Sequence, residues 1–550
     1  MGEPATSASA DLILTDTSVC TMDAERRSAS AVAVTDGRIV AVGTDAEIRE
    51  RSGPRTEVLP LAGRMVIPAF QDAHVHPAFA GRNLLRLNLD RLHTVGAYLD
   101  AIATYASEHP DEPWITGGGW AMYLFPGGTP RKEDLDRLVP DRPVFLMNRD
   151  VHGAWVNSRA LALAGITRET PDPWDGRIER DHATGEPAGT LHEGAAYSFR
   201  DRFVPATGAP EWREALLVAQ RHLHALGITA WQDAWVTPDL LEAYHALDDA
   251  GELTAHVSAS LWWDRHRGGD QADELVARGR AGTRGAIRAK TVKIMADGVV
   301  ENCSCALLRP YDDPDGYPSG HRGLSYVGGD ALRSAVVRLD AEGFQVHMHA
   351  IGDGAARDAL DAVEAARAAN GARDARHHVA HLQVIHPDDV PRFGALGVVA
   401  NIQPVWACAD PQMTELTLPR LGEERIGWQY PFGDLLRTGA TLAGGSDWPV
   451  STPNPLLEME VAVTRVDPGS RDAEPFLPGQ RLTLPQALAA FTIGSAYVNH
   501  DDGDAGSIEV GKRADLAVLD RDVFDPDAGP LGDAHVIMTI AGGRVVHDAG

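Results

Sequence analysis

An α/β chain is the fold this sequence predicts: a (β/α)8 TIM barrel, with a small β-sandwich built from both termini and an insertion after the first barrel strand. Three observations predict it. Strand-like apolar runs alternate with helix-like runs through the middle of the chain, the pattern of βα units on a parallel sheet. Both ends have a different texture, short strands and hairpin signals without intervening helices. Chemistry-bearing side chains recur at the ends of the central strands, where the loops of such a barrel carry its site.

At 550 residues the chain is too long for one simple core. Residues 11–15 and 31–35 are apolar and alternating, and Asp36-Gly37 turns the chain into 38–42, a strong hairpin signal. The last residues repeat this texture in 514–519, 535–540, Gly542-Gly543 and 544–547. Neither end has enough strands for an independent β domain. The expectation is therefore one sandwich shared by 1–64 and 506–550, the alternative being two unrelated hairpin caps.

The barrel is expected over 65–505. Its strand candidates are 65–70, 228–233, 255–262, 289–295, 344–349, 377–381, 398–402 and 441–445, with helices for instance over 210–225, 330–341, 355–369 and 387–396. The gap between 70 and 228 far exceeds a βα connection. It holds strand-like runs at 113–117 and 144–147 and many Gly, Pro and Trp residues, so 80–205 reads as a lid-like domain inserted over the barrel mouth.

Composition excludes several classes of function. With 50 Lys and Arg against 78 Asp and Glu, the net charge of −28 disfavours nucleic acid and anionic membrane as partners. No apolar run approaches the ~18–20 residues of a membrane span. Residues 1–10 lack a basic segment and an apolar segment, so no secretion signal is expected. Four scattered cysteines make no disulfide framework, which points to a cytoplasmic protein with reduced thiols. Cys303-Ser304-Cys305, with no second pair, reads as two small residues rather than a metal site. There is no G-x-S-x-G, and no P-loop or dinucleotide fingerprint follows any strand.

The most informative stretch is Asp72-Ala73-His74-Val75-His76, just after the first apolar run. Strand side chains alternate, so His74 and His76 point the same way, and imidazole is the commonest ligand for zinc-like metals. The other strand ends supply matching groups. The fourth carries Lys293 in an apolar run, the fifth ends at His349, the sixth at His381, and the eighth in Gly445-Ser446-Asp447-Trp448-Pro449. Each alone has a bland explanation: a hydrogen-bonded core histidine, a helix-capping aspartate, a paired lysine. Together they place four imidazoles, a carboxylate and a lysine at one end of one barrel.

This set resembles the metal-dependent amidohydrolase superfamily, and within it the amidohydrolase 3 subgroup that includes N-substituted formamide deformylases. The resemblance runs through nearly the whole chain, including Gly118-Gly119-Trp120, His152-Gly153-Ala154-Trp155-Val156-Asn157-Ser158 and His349-Ala350-Ile351-Gly352-Asp353. It implies that His74, His76 and Asp447 hold one metal and His349 and His381 a second, with zinc expected as one or two ions and other divalent metals also suited. A lysine ammonium has no lone pair for a cation, but in the family the lysine at this position can be carboxylated to a carbamate that bridges two metals. Lys293 is placed for that role; the alternative is a single-metal site with Lys293 unmodified.

The resemblance implies a C–N bond hydrolase of linear amides, with Asp447, Lys293 and His349 in the catalytic centre. Metal-activated water attacks the carbonyl, and Asp447 takes its proton and passes it to the leaving nitrogen. The most concrete reaction is hydrolysis of an N-substituted formamide to formate and an amine. A cyclic amidase, a deaminase on a related barrel, and a non-catalytic regulatory barrel are the alternatives. The expected partner is a small-molecule substrate, and dimeric relatives make a homodimer part of the resemblance. Trp120, Tyr123, Phe125, His152, Trp155, Asn157, Glu193, Trp406 and Trp448 are candidates to shape the pocket, with Trp120, His152 and Trp448 expected on the substrate and His152 as a hydrogen-bond donor to it.

Overall fold

The computed structural model describes residues 9–25, 28–313 and 317–550. Residues 1–8, part of the segment read as lacking a secretion signal, lie outside them.

Eight parallel strands lie side by side in chain order. They are β1 (Phe70–Val75), β2 (Ile228–Val236), β3 (His256–Trp262), β4 (Ile287–Met295), β5 (Gln345–Ala350), β6 (His378–His381), β7 (Val399–Ile402) and β8 (Leu442–Gly444). Their near-continuous burial is that of a parallel sheet covered by helices. The helices include Ala209–His224, Pro238–Asp249, Gln271–Gly282, Gly329–Ala341 and Asp353–Asn370, and they share one large apolar core with the strands. This is the expected (β/α)8 barrel.

The sheet is nearly closed. β1 and β8 share no regular ladder, and the seam is bridged instead by the loops that follow them. Asp447 N–H donates to His74 O at 2.7 Å, and His76 N–H to Trp448 O at 2.9 Å. Across the same seam Asp72 accepts from Ser446 N–H at 3.1 Å and Ser446 Oγ–H at 2.6 Å.

One expectation needs correction. The apolar run at 65–70 is not the first barrel strand but two strands in succession. Met65–Pro68 pairs antiparallel with Leu516–Leu519 and parallel with Ser18–Cys20. The switch takes one residue: Ala69 N–H donates to Asp515 O, and Phe70 N–H to Gly227 O, each at 2.9 Å. An uninterrupted apolar run cannot show such a change of partner, because both strands are buried.

The chain ends meet as expected. One sheet, in the order Arg544–Asp548, Val536–Ala541, Leu516–Leu519, Met65–Pro68, Ser18–Cys20, Ser28–Ala29, mixes strands from both. It packs on a four-stranded sheet of Arg38–Gly43, Ala31–Thr35, Leu12–Thr15 and Glu57–Pro60 through Leu12, Val32, Val66, Leu516, Val518 and Ile540. The two hairpin turns touch: a Cβ on Gly37, whose φ is +73°, would lie 2.7 Å from Gly542 O, so this position requires glycine.

Between β1 and β2 a third sheet forms, in the order Gly176–Arg180, Pro187–Glu193, Gly153–Val156, Val144–Asn148, Ile115–Trp120, Leu87–Asn88. It has its own apolar cores, one around Tyr98, Trp120, Phe125 and Trp155. Among the described residues no helix is long and apolar enough to cross a membrane.

Leu516 is fully buried where strands from both chain ends meet. Leu516→Ala is expected to cost about 2–4 kcal/mol, measured as a lower denaturant midpoint. An unchanged midpoint would contradict a shared core.

Candidate metal centre and substrate cavity

Alternation along β1 turns Asp72 and His74 to one face, and His76 follows as the residue capping helix Pro77–Leu85. On β5 the same rule pairs His347 with His349. His381 ends β6 at φ 80°, and Asp447 follows β8 at φ 55°. Backbone in this region is uncommon for residues other than glycine and collects at functional sites.

These turns bring the side chains together. Asp447 Oδ1 lies 3.3 Å from His74 Nε2 and 3.1 Å from His76 Nε2, and Asp447 Oδ2 lies 3.9 Å from His381 Nδ1. His74, His381 and Asp447 each offer a ligand atom within 4.8 Å of the other two. The His349 ring stands against His381 with centroids 4.4 Å apart, and its Nε2 is 3.3 Å from Gly298 O. Donation to that carbonyl leaves Nδ1 as its free lone pair.

A divalent cation fits this donor set. Asp447 Oδ1 and His381 Nδ1 are buried without a hydrogen-bond partner, a costly arrangement unless something else satisfies them. Burial holds His74, His349 and His381 well below the usual histidine range, and the Lys293 charge pushes the same way, so their lone pairs are open at neutral pH. Burial works against the Asp447 charge, yet His76, His381 and Lys293 keep its carboxyl below the usual range. The grouping differs from the expected one: the closest triad takes His74 and Asp447 from one expected metal and His381 from the other.

Lys293 is buried, with Nζ 3.5 Å from His74 Nε2 and 3.4 Å from His347 Nε2. Burial lowers it to about 7 against the pull of Asp447. Beside it lies a histidine that the pattern of strand ends did not single out. His347 Nε2 is 2.9 Å from His74 Nδ1. The alternation that linked His74 with His76, applied to Gln345-Val346-His347-Met348-His349, would have found it.

Two further carboxylates brace the centre. Asp72 receives His74 N–H at 2.9 Å as well as the Ser446 donors, and burial raises it to about 7 despite them. Asp297 accepts from the N–H groups of Ile351, Gly352 and Ala306 at 2.9–3.0 Å, and burial raises it to about 8. It thereby ties the loop after β4 to the loop after β5.

The centre opens into a cavity of about 570 Å³ lined by His152, His349, His381, Trp406, Asp447 and Trp448 among others. Trp406 stacks on His381 at 5.2 Å, and Trp448 lies 5.0 Å from the His222 ring. The lining also carries Asp90, Arg91, Arg149, Asp150, Glu301 and Asp410, so it is more charged than the aromatic-rich sequence suggests.

His152 reaches this cavity from the inserted sheet, its ring 5.6 Å from His349. Its Nδ1 bonds Glu193 Oε2 at 2.9 Å. Burial alone would lower His152, but Glu193 raises it to about 9. Glu193 is fully buried at φ 54° and accepts from Ser304 Oγ–H at 2.6 Å.

Trp120 is not brought to the cavity. It is fully buried beside Phe125 and Trp155, its indole N–H donating to Leu146 O at 2.9 Å. Phe125 and Trp155 pack with it, Asn157 caps helix Ser158–Ala164, and of the insert's aromatic candidates Tyr123 lines the cavity.

A family model described as "Amidohydrolase family" matches residues 57–547. The chain is 30% identical to Protein LONG AFTER FAR-RED 3 of Arabidopsis thaliana, over 98% of this chain and 92% of that one. It is also 30% identical to the N-substituted formamide deformylase of Arthrobacter pascens, over 97% of each. Among solved structures it resembles an uncharacterized metal-dependent hydrolase from Pyrococcus horikoshii OT3, with TM-score 0.73 and 25% identity, covering 95% of this chain and 99% of that one.

Elemental analysis of purified protein is expected to find a divalent metal that His74→Ala and His381→Ala largely lose and Trp120→Phe retains. Metal content unchanged in both histidine variants would remove this site as its holder.

Proposed function

Because the chain belongs to the amidohydrolase family, and is therefore a metal-dependent hydrolase acting on C–N bonds, we propose that it hydrolyses a linear, non-peptide amide, most concretely an N-substituted formamide, to formate and an amine. The observation that carries this is Asp447: a buried carboxylate, one oxygen unpaired, set among His74, His76 and His381 at the floor of a cavity. Likeness to the Arthrobacter deformylase supports the choice of acyl group. Zinc suits this set of imidazoles and carboxylate, and the four scattered cysteines support a cytoplasmic setting.

We assign His74, His76, His381 and Asp447 to hold the ion, with His349 beside it. Bound there, it lowers the pKa of water and polarises the substrate carbonyl. Asp447 accepts the proton of the attacking water as the C–O bond forms. It returns that proton to the amide nitrogen as the C–N bond breaks, since an unprotonated amide nitrogen leaves poorly. Lys293, directed at His74 and His347, sets the local charge in its free form and, if carboxylated, would offer anionic oxygens as further metal donors. The cavity volume lies within the usual range for small-molecule sites, about 300–1,000 Å³. Trp406 and Trp448 offer apolar surface to the amine side.

His152 is assigned as hydrogen-bond donor to the substrate carbonyl. Glu193 holds its Nδ1, so Nε2 is the nitrogen left to the cavity. This is support from geometry for a role the sequence already suggested.

Formate release from a panel of N-substituted formamides, run on metal-loaded protein, tests the proposal. At least one member is expected to be hydrolysed, and Asp447→Asn is expected to lose most of kcat with little loss of metal. A loaded protein inactive on the whole panel would sink the formamide reading, and a fully active Asp447→Asn would sink the proton-transfer role. His152→Ala is expected to lower kcat/KM about 100-fold, the scale for one donor to a developing oxyanion. In a double-mutant cycle, Glu193→Ala added to His152→Ala should cost clearly less than Glu193→Ala alone. Additive losses would mean that Glu193 acts on structure rather than through His152.

A further inference from the structure

A histidine can bind a metal through either nitrogen, and the partner of the other nitrogen selects which. In metal sites that partner is usually a carboxylate, a backbone carbonyl or water. For His74 it is another imidazole. His74 Nε2 faces Asp447, and its Nδ1 lies 2.9 Å from His347 Nε2. We propose that His347 is a positioning residue for the metal centre: its Nε2 accepts the Nδ1–H of His74 and so presents His74 Nε2 to the ion. The inference rests on the reading of His74 as a ligand.

Three strands build this arrangement. Barrel register sets Lys293 of β4 opposite His347 of β5, and His347 opposite His378 of β6. These three form a polar layer within the barrel, where layers are usually apolar and branched. Two residues further on, Met295 pairs with His349 and His349 with Ala380, and His381 follows next along β6.

The contacts of the polar layer allow one continuous direction of hydrogen bonding. His347 Nδ1 lies 3.4 Å from Ser260 Oγ, which can accept its proton. A neutral imidazole has one N–H, so donation to Ser260 leaves Nε2 of His347 as an acceptor. Donation by His74 Nδ1–H to that acceptor leaves Nε2 of His74 with its lone pair toward Asp447. The His378 ring, 4.0 Å away, packs against His347, and its Nδ1 sits 3.1 Å from Asn401 Nδ2. Lys293 Nζ, 3.4 Å from His347 Nε2, is the more distant donor to the same nitrogen. His347 is fully buried, so water does not replace it as acceptor.

The test compares zinc affinity, by chelator competition, and the visible spectrum of the cobalt-substituted protein, in wild type, His74→Ala, His347→Leu and His347→Gln. His347→Leu is expected to weaken zinc binding about 10–100-fold, the usual effect of losing an outer-shell partner, and to alter the cobalt spectrum. His347→Gln, whose amide oxygen can accept from His74, is expected to recover most of both. A residue that only fills the core predicts the reverse order, with leucine tolerated and glutamine worse. If His347→Leu does not fold, Ser260→Ala reads the same chain, because the loss of its oxygen frees His347 to take the other tautomer and should weaken zinc several-fold. Wild-type affinity in His347→Leu, or in Ser260→Ala where that variant stands in, overturns the proposal and leaves the metal site intact. Wild-type affinity in His74→Ala overturns the reading beneath it as well.

Discussion

The seam between the first and eighth barrel strands is the constraint on which the rest of the site depends. No regular ladder joins the two strands, so closure falls to the residues just beyond them. Those residues are His74, His76, Asp447 and Trp448, with Asp72 and Ser446 alongside. The hydrogen bonds that close the barrel therefore also set the spacing of the ligands.

Burial governs how the three carboxylates around this centre are handled. Asp72, Asp297 and Asp447 are all removed from water. The first two receive N–H and O–H donors, and burial still raises them, to about 7 and about 8. Asp447 is treated differently: its Oδ1 and the nearby His381 Nδ1 both lack a hydrogen-bond partner, and burial keeps the His74 and His381 rings beside it neutral. An isolated buried carboxylate is costly, whereas one that coordinates a metal is not. The same neutral imidazoles supply the lone pairs.

The inserted sheet contributes to the site through contacts rather than by mere covering. Glu193 reaches from the insert to Ser304 on the loop after β4, and the same carboxylate holds His152. Asn302 donates to His152 O at 3.2 Å. The lid is thereby registered to a barrel loop already anchored by Asp297, so the side chain it offers to the cavity has a defined place relative to Asp447. Its tryptophans serve a different end: Trp120 and Trp155 build the core that keeps the sheet rigid.

By itself the sequence determined the class of fold and the residue types gathered at one end of it, because both are written in local pattern. Apolar runs mark strands, alternating where one face is buried and continuous where both are, and His74, His349, His381 and Asp447 stand at or just past strand ends whatever the exact packing. Only the tertiary structure decided how those parts combine. It divided the run at 65–70 between two sheets, since hydrogen-bond partners are not encoded in apolarity. It placed Trp120 in a core rather than a pocket, since an indole has the same composition in either. It brought His74, His381 and Asp447 within reach of one another and set His347 against His74, since distances between side chains 273 positions apart arise only when the barrel closes.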